Sequence, residues 1–258
     1  MRIGLLIAGA AAALAAGCTA PESGDIRLAT YNIRICRGLD DRLDPDRTAA
    51  AIARLGAETV TLNEVDRLTD RSDNIDEPKY LADKLGLSFA FGKAFEQPGG
   101  DYGNAVISRY PVQVVDAFEV PGNGGESRGA LIVKIMAPKP YFVAVTHLPY
   151  EEELESARAD GVAKIAAKLK EYNAYPAILM GDLNSTPDGA AVKALRDAGF
   201  TVVNDAYPDE LTWPADQPEL LLDYVAFYPA DAFKVKEHFV VDDPASSDHR
   251  PVVTVLSR

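Results

Sequence analysis

The stretch "ILMGDLNSTPDG", residues 178–189, runs apolar and then turns abruptly polar at Asp182 and Asn184. An apolar run that ends this way reads as a buried strand. A carboxylate and an amide two positions apart at its end project the same way. Asp and Asn also serve ordinary turns at such junctions. The rest of the chain decides whether this is a turn or a site.

On either side, strand-like and helix-like segments alternate. Strands are expected at 26–33, 58–65, 102–108, 112–120, 129–136, 141–147 and 176–181, then in "LLDYVAFY", "FKVKEHFVV" and "RPVVTVLS". Asp44 followed by Pro45 has the chemistry of a helix start, and that helix should run to Leu55 before Gly56. A second helix opens at Pro78 and stops at Gly86. The longest runs from Glu151 to Tyr172, with Leu154, Val162, Ile165 and Leu169 on one stripe. Thr186 is expected to cap a fourth, from Pro187 to Ala198. Many strands and few helices fit an α/β chain of two packed sheets with helices outside better than one wound sheet.

The 258 residues are 47% hydrophobic and 25% charged, ordinary for a globular chain. The formal charge is −13, which repels polyanions at long range. No Lys/Arg run with interleaved aromatics marks a nucleic-acid groove, although a nucleic-acid substrate stays open. Residues 1–17 read as a secretory signal: one Arg, an apolar run, then small residues. "LAAGC" resembles a bacterial lipobox, so lipidation of Cys18 and membrane anchoring are expected, ahead of a plain cleaved signal and a periplasmic or extracellular protein. Residues 18–25 are then a tether, and 26–258 a single domain, expected to be a monomer. Cys36 would be left without an intrachain partner and reads as structural.

Polar residues end or open most of the apolar runs: Asn32, Glu64, Asn104, His147, Asp182 with Asn184, Asp223, and Asp248 with His249. Each alone has an ordinary explanation. Two of the three His fall in this set, and His238 reads as a strand residue without a special role. The segments "ATYNIR", "LNEVD", "YGNAVISRYP", "VTHL", "GDLNSTP", "LDYVAF" and "SSDHRPV" resemble, in order, the motifs of the endonuclease/exonuclease/phosphatase superfamily. That superfamily includes DNase I-like nucleases, inositol-polyphosphate phosphatases and bacterial sphingomyelinases. The resemblance covers residues 26–257 and implies a four-layer sandwich, two mixed β-sheets face to face with helices outside.

It also implies a phosphoester hydrolase. Glu64 would be the principal metal ligand, assisted by Asn32 and Asp248. Oxygen donors without Cys suit Mg²⁺ or Mn²⁺. By the same resemblance Asp182 would orient or deprotonate a water, Asn184 would hold a phosphate oxygen, and Asp223 would pair with His249. Either Asp182 or the Asp223–His249 pair could be the base. His147 would steady the phosphate or protonate the leaving oxygen, with Asn104 as its partner.

Two positions depart from the family pattern: Asn63, where Gln is usual, and Gly161, where Gln often follows Arg158. The missing Gln puts a standard substrate mode in doubt. Arg34, Arg37 and Arg128 could meet phosphate, and for Arg37 plain solvation is the stronger expectation. Specificity is expected in loops 34–46, 66–78 and 93–102, and Trp213 could line the pocket. A lipid hydrolase of the phospholipase C or sphingomyelinase kind and a catalytically silent binding lipoprotein are the alternatives.

Overall fold

The computed structural model describes residues 24–258, so the expected signal and Cys18 lie outside the described residues. Two six-stranded sheets form the centre. The first contains β1 (Asp25–Asn32), β2 (Thr59–Arg67), β3 (Ser88–Gln97), β4 (Gly100–Ser108), β11 (Lys234–Val240) and β12 (Val252–Ser257), in the order β11-β12-β1-β2-β4-β3. The second contains β5 (Val112–Val120), β6 (Arg128–Ile135), β7 (Tyr141–Thr146), β8 (Ala177–Asp182), β9 (Thr201–Val202) and β10 (Asp223–Tyr228), in the order β5-β6-β7-β8-β10-β9. Each sheet is mixed. β1 runs parallel to β2, and β7 parallel to β8, while the neighbouring ladders are antiparallel.

Three apolar clusters hold four layers together. Leu28, Val106, Leu131, Val143, Ile178, Met180 and Val225 interdigitate between the sheets. Helices α1 (Pro45–Leu55) and α2 (Glu77–Leu85) cover the outer face of the first sheet through Ile52, Leu55 and Leu81. Helices α3 (Glu155–Glu171) and α4 (Ala190–Asp197) cover the second through Val162, Ile165 and Leu195. This is the four-layer DNase I-like sandwich.

The start and stop of α1 lie where the sequence puts them. Asp44 accepts from Arg47 N, and Gly56 closes the helix at φ 60°. Four expectations fail. Helix α4 begins at Ala190 rather than Pro187, because residues 186–189 close a turn with Gly189 N donating to Thr186 O. Its first N–H is capped by Glu155 of α3 at 2.7 Å, not by Thr186. Loop 93–102 is instead a hairpin: β3 extends to Gln97 and pairs with β4, leaving only Pro98–Gly99 as the tip. Helix α3 starts at Glu155, after a single 3₁₀ turn at Glu152–Leu154.

Candidate active site

The strand ends of both sheets open on one cleft of about 970 Å³. On the first-sheet side, β1 ends in Asn32 and β2 bends at Glu64. The β2–β4 register shifts between Leu62 and Val65, and Glu64 takes φ 53°. This bulge turns the Glu64 carboxylate into the cleft while Asn63 stays between the sheets. Asn32 Nδ2 donates to Glu64 Oε1 at 3.0 Å and to Asp182 Oδ2 at 3.1 Å. Its Oδ1 accepts from Arg34 N at 3.1 Å, so what Asn32 offers the two carboxylates is N–H. Asp248 lies on the loop between β11 and β12, beside Ser247, whose hydroxyl donates to Asn32 O at 2.7 Å.

On the second-sheet side, β8 delivers Asp182 and β10 delivers Asp223 directly opposite it. Two acids facing each other across a ladder repel. His249 answers both: its Nδ1 lies 2.8 Å from Asp223 Oδ2 and its Nε2 3.5 Å from Asp182 Oδ2. His147, at the end of β7, places its own Nε2 3.5 Å from the same Asp182 oxygen. Asp182 Oδ1 accepts from Asn184 N at 2.9 Å, and the Asn184 amide reaches His147 Nε2 at 3.0 Å. Gly181 permits this approach. It sits at φ 143°, and a Cβ there would meet Thr146 O at 2.0 Å.

The two histidines titrate in opposite directions. Burial alone would discharge His249, but the Asp223 and Asp182 carboxylates outweigh it and raise it to about 10. His147 is held well below its ordinary value by burial, then by the charge of Arg128, whose guanidinium lies 3.2 Å from Nδ1. Burial raises Asp182, and the His249 charge draws it back. Burial also raises Glu64, and Asp248 adds to the effect.

Of the residues singled out in the sequence, Asn32, Glu64, His147, Asp182, Asn184, Asp223 and His249 meet through the contacts above, and Asp248 lines the same cleft. Asn104 does not pair with His147. It is buried, accepting from Asn63 at 2.8 Å and donating to Gly129 O at 2.9 Å. The nitrogen partners of His147 are Arg128 and Asn184 instead. Asn63 has a larger role than expected: it donates to Thr146 O and accepts from Asp182 N at 2.9 Å each, pinning β2 to β7 and β8. A buried amide inside an apolar run was the available signal. Gly161 faces Leu148 and Val120 of the core, where a Cβ would come within 2.9 Å of Leu148 Cδ2. A Gln there would not reach the cleft without moving Leu148. Arg158 holds the loop after His147 through Pro149 O and Glu151 O. Arg34, Arg37, Arg71 and Trp213 all line the cleft; Arg71 was not anticipated.

Two groups could hold a cation. Oxygen and nitrogen atoms of Asp182, Asp223 and His249 lie within 4.8 Å of one another, and Asp223 Oδ1 is buried without a partner. The His249 nitrogens, however, already face the two carboxylates. Glu64 and Asp248 line the same cleft without a bonded imidazole nitrogen, and Asp248 Oδ2 lies 3.9 Å from Arg34 Nε. Their donors are hard oxygens, and Cys36 is buried under α1.

Residues 29–249 match the Endonuclease/Exonuclease/phosphatase family, and the chain belongs to it. Enzymes of this family hydrolyse phosphoester bonds and commonly use divalent metals. The chain is 31% identical over 161 residues to the uncharacterized protein YbhP of Escherichia coli (strain K12), a match spanning 60% of this chain and 62% of that protein. In fold it resembles an endonuclease/exonuclease/phosphatase from Beutenbergia cavernae DSM 12333, with TM-score 0.73, 24% identity, and coverage of 91% of this chain and 72% of the other. A mannosyl-6-phosphatase from Bacteroides thetaiotaomicron VPI-5482 superposes with TM-score 0.71 at 17% identity, covering 90% and 100%.

Proposed function

We propose, from membership of this family and the geometry of the cleft, that the protein is a Mg²⁺- or Mn²⁺-dependent phosphoester hydrolase. One observation carries the reading: Asp182 Oδ2 lies between the Nε2 atoms of two buried histidines and is tied through Asn32 to Glu64. Glu64 and Asp248 would hold the cation, with Asn32 steadying Glu64 against Asp182. A bound divalent cation supplies neutralisation of the phosphate oxygens and of the leaving oxygen. Asp182 orients the attacking water and can take its proton. Asp223 fixes the His249 ring and keeps it charged, so its Nε2–H is available to a phosphate oxygen. Neutral His147 and the Asn184 amide steady the phosphate from the second-sheet side.

The test is phosphate or nitrophenol release by the purified mature protein from mono- and bis-p-nitrophenyl phosphate. EDTA should abolish turnover, and Mg²⁺ or Mn²⁺ should restore it. Glu64→Gln should raise the metal concentration for half-activity and leave the fold intact. Full activity in excess chelator would refute the reading, and no turnover of any phosphoester would favour the silent binder.

We further propose that the N-terminal leader exports the protein and that Cys18 carries lipid. Cys18→Ser should abolish labelling by a fatty-acid probe. Equal labelling of wild type and variant would remove the anchor.

A further inference from the structure

The cleft arginines are not equivalent. On the second-sheet side, Arg128 pairs with Glu126 at 3.0 Å and Arg158 with Glu155 at 3.1 Å. On the first-sheet side, Arg71 grips Asp66 with two bonds of 2.7 and 2.8 Å, and Arg34 lies 3.5 Å from Asp41. Among the described residues, only Arg37 of these five has no carboxylate within 4.0 Å. Its guanidinium is nonetheless held in place, donating to Asp41 O at 2.9 Å and to Arg71 O at 2.8 Å. Those two carbonyls belong to different loops. Arg37 therefore fastens the loop after β1 to the loop after β2 and presents an unneutralised charge to the cleft they share.

The backbone beneath it is strained. Arg34, Ile35 and Cys36 take φ of 46°, 49° and 54° in succession, a run of left-handed residues that costs on the order of 1 kcal/mol or more each. Burial of Cys36 and the bond from Asp44 N to Cys36 O at 2.9 Å hold the conformation. In a chain with a net charge of −13, this turn leaves one cleft arginine, among the described residues, without a carboxylate to answer its charge.

We propose that Arg37 binds a second anionic group, phosphate or carboxylate, on a small phosphate ester whose scissile phosphate lies at Asp182 and His249. This rests on the hydrolase reading above and narrows its substrate. A polynucleotide fits less well. On the second-sheet side Arg128 and Arg158 are taken up by Glu126 and Glu155 and Glu152 lines the cleft as well, so among the described residues no free cation continues a phosphate track there. The cleft volume is that of a small-molecule site.

Two measurements test the proposal. First, calorimetry in EDTA compares 2,3-bisphosphoglycerate and 3-phosphoglycerate with glycerol 3-phosphate, which lacks the second anion. The wild-type protein should bind the first two at least about tenfold tighter, the size of one charge-assisted contact. Arg37→Gln removes the charge and should erase that preference, whereas Arg37→Lys, which also loses the two-pronged fastening but keeps the charge, should keep most of it. Because no turnover is needed, this arm stands even if hydrolysis fails. Second, with Mg²⁺, the ratio of kcat/KM for the doubly anionic esters to that for glycerol 3-phosphate should fall by the same factor in Arg37→Gln. No preference in wild type, or a preference that survives Arg37→Gln, overturns the proposal. A thymidylate octamer bound more tightly than any of the three, in an Arg37-dependent manner, overturns the small-molecule assignment in favour of nucleic acid.

Discussion

His147 and His249 stand on either side of one carboxylate oxygen, each with Nε2 3.5 Å from Asp182 Oδ2, and both are buried. They differ in what touches the other ring nitrogen. His249 Nδ1 meets the Asp223 carboxylate, and His147 Nδ1 meets the Arg128 guanidinium. Desolvation acts on both in the same direction. The neighbour's sign decides the outcome, so one imidazole is kept charged and the other neutral. The same residue type thereby provides a cationic donor on one side of the site and an uncharged ring on the other.

The largest effect should come from removing the charged member. His249→Ala should lower kcat by about 10²–10⁴-fold, the usual contribution of a positioned proton-transfer group, and should also lower stability at neutral pH, because Asp182 and Asp223 are left facing each other without the imidazolium. Asp223→Asn combined with His249→Ala should cost far less than the product of the singles, because the two act as one unit. A multiplicative double variant would separate them. His147→Ala should cost at least about a hundredfold.

A smaller change should follow from reversing the neighbour. Arg128→Gln removes the cation beside His147 and should move its titration upward, toward the ordinary value, while burial still holds it down. Nitrogen-detected NMR of the chelated protein can follow both rings. His249 should remain charged at pH 8 and His147 neutral at pH 6. The contrast collapses if the two rings titrate together.

The smallest effect on activity belongs to His238→Gln, which should be near neutral because His238 lies in β11 with Nδ1 at 2.8 Å from Thr254. Its effect is on stability. Burial lowers His238 to about 4, below the ordinary 6.5, so the unfolded chain binds a proton that the folded one refuses. Stability is then fully present above pH 6.5 and is lost as pH falls toward 4, by about 3 kcal/mol. His249 has the opposite sign: its contribution is full below pH 6.5 and is lost as pH rises toward 10. His238→Gln should therefore flatten the acid side of the unfolding profile against pH, and equal acid slopes would count against the burial account.

Much is legible in the sequence. The polar residues at strand ends, their order, the Asp44 and Gly56 helix signals and the two-sheet layering are local or patterned features, and such features survive in one dimension. Asp182, Asp223 and His249 could be named as candidates because carboxylates and imidazoles are costly to bury without purpose. The resemblance also paired Asp223 with His249, and the two lie 2.8 Å apart; the other partners were not legible. The sequence alone paired Asn104 with His147, whereas the fold gave that place to Arg128 and Asn184. It left Arg37 able to meet phosphate but favoured plain solvation, and the fold set it against two main-chain carbonyls with its charge unanswered. It placed a cap on Thr186, and α4 takes its cap from Glu155, 35 residues away. The physical reason is common to all three. Residue type and strand period determine which groups are presented and on which face. The register of β8 against β10, the bulge at Glu64 and the packing of α3 on α4 determine which of them come within 3 Å, and those are properties of the folded chain.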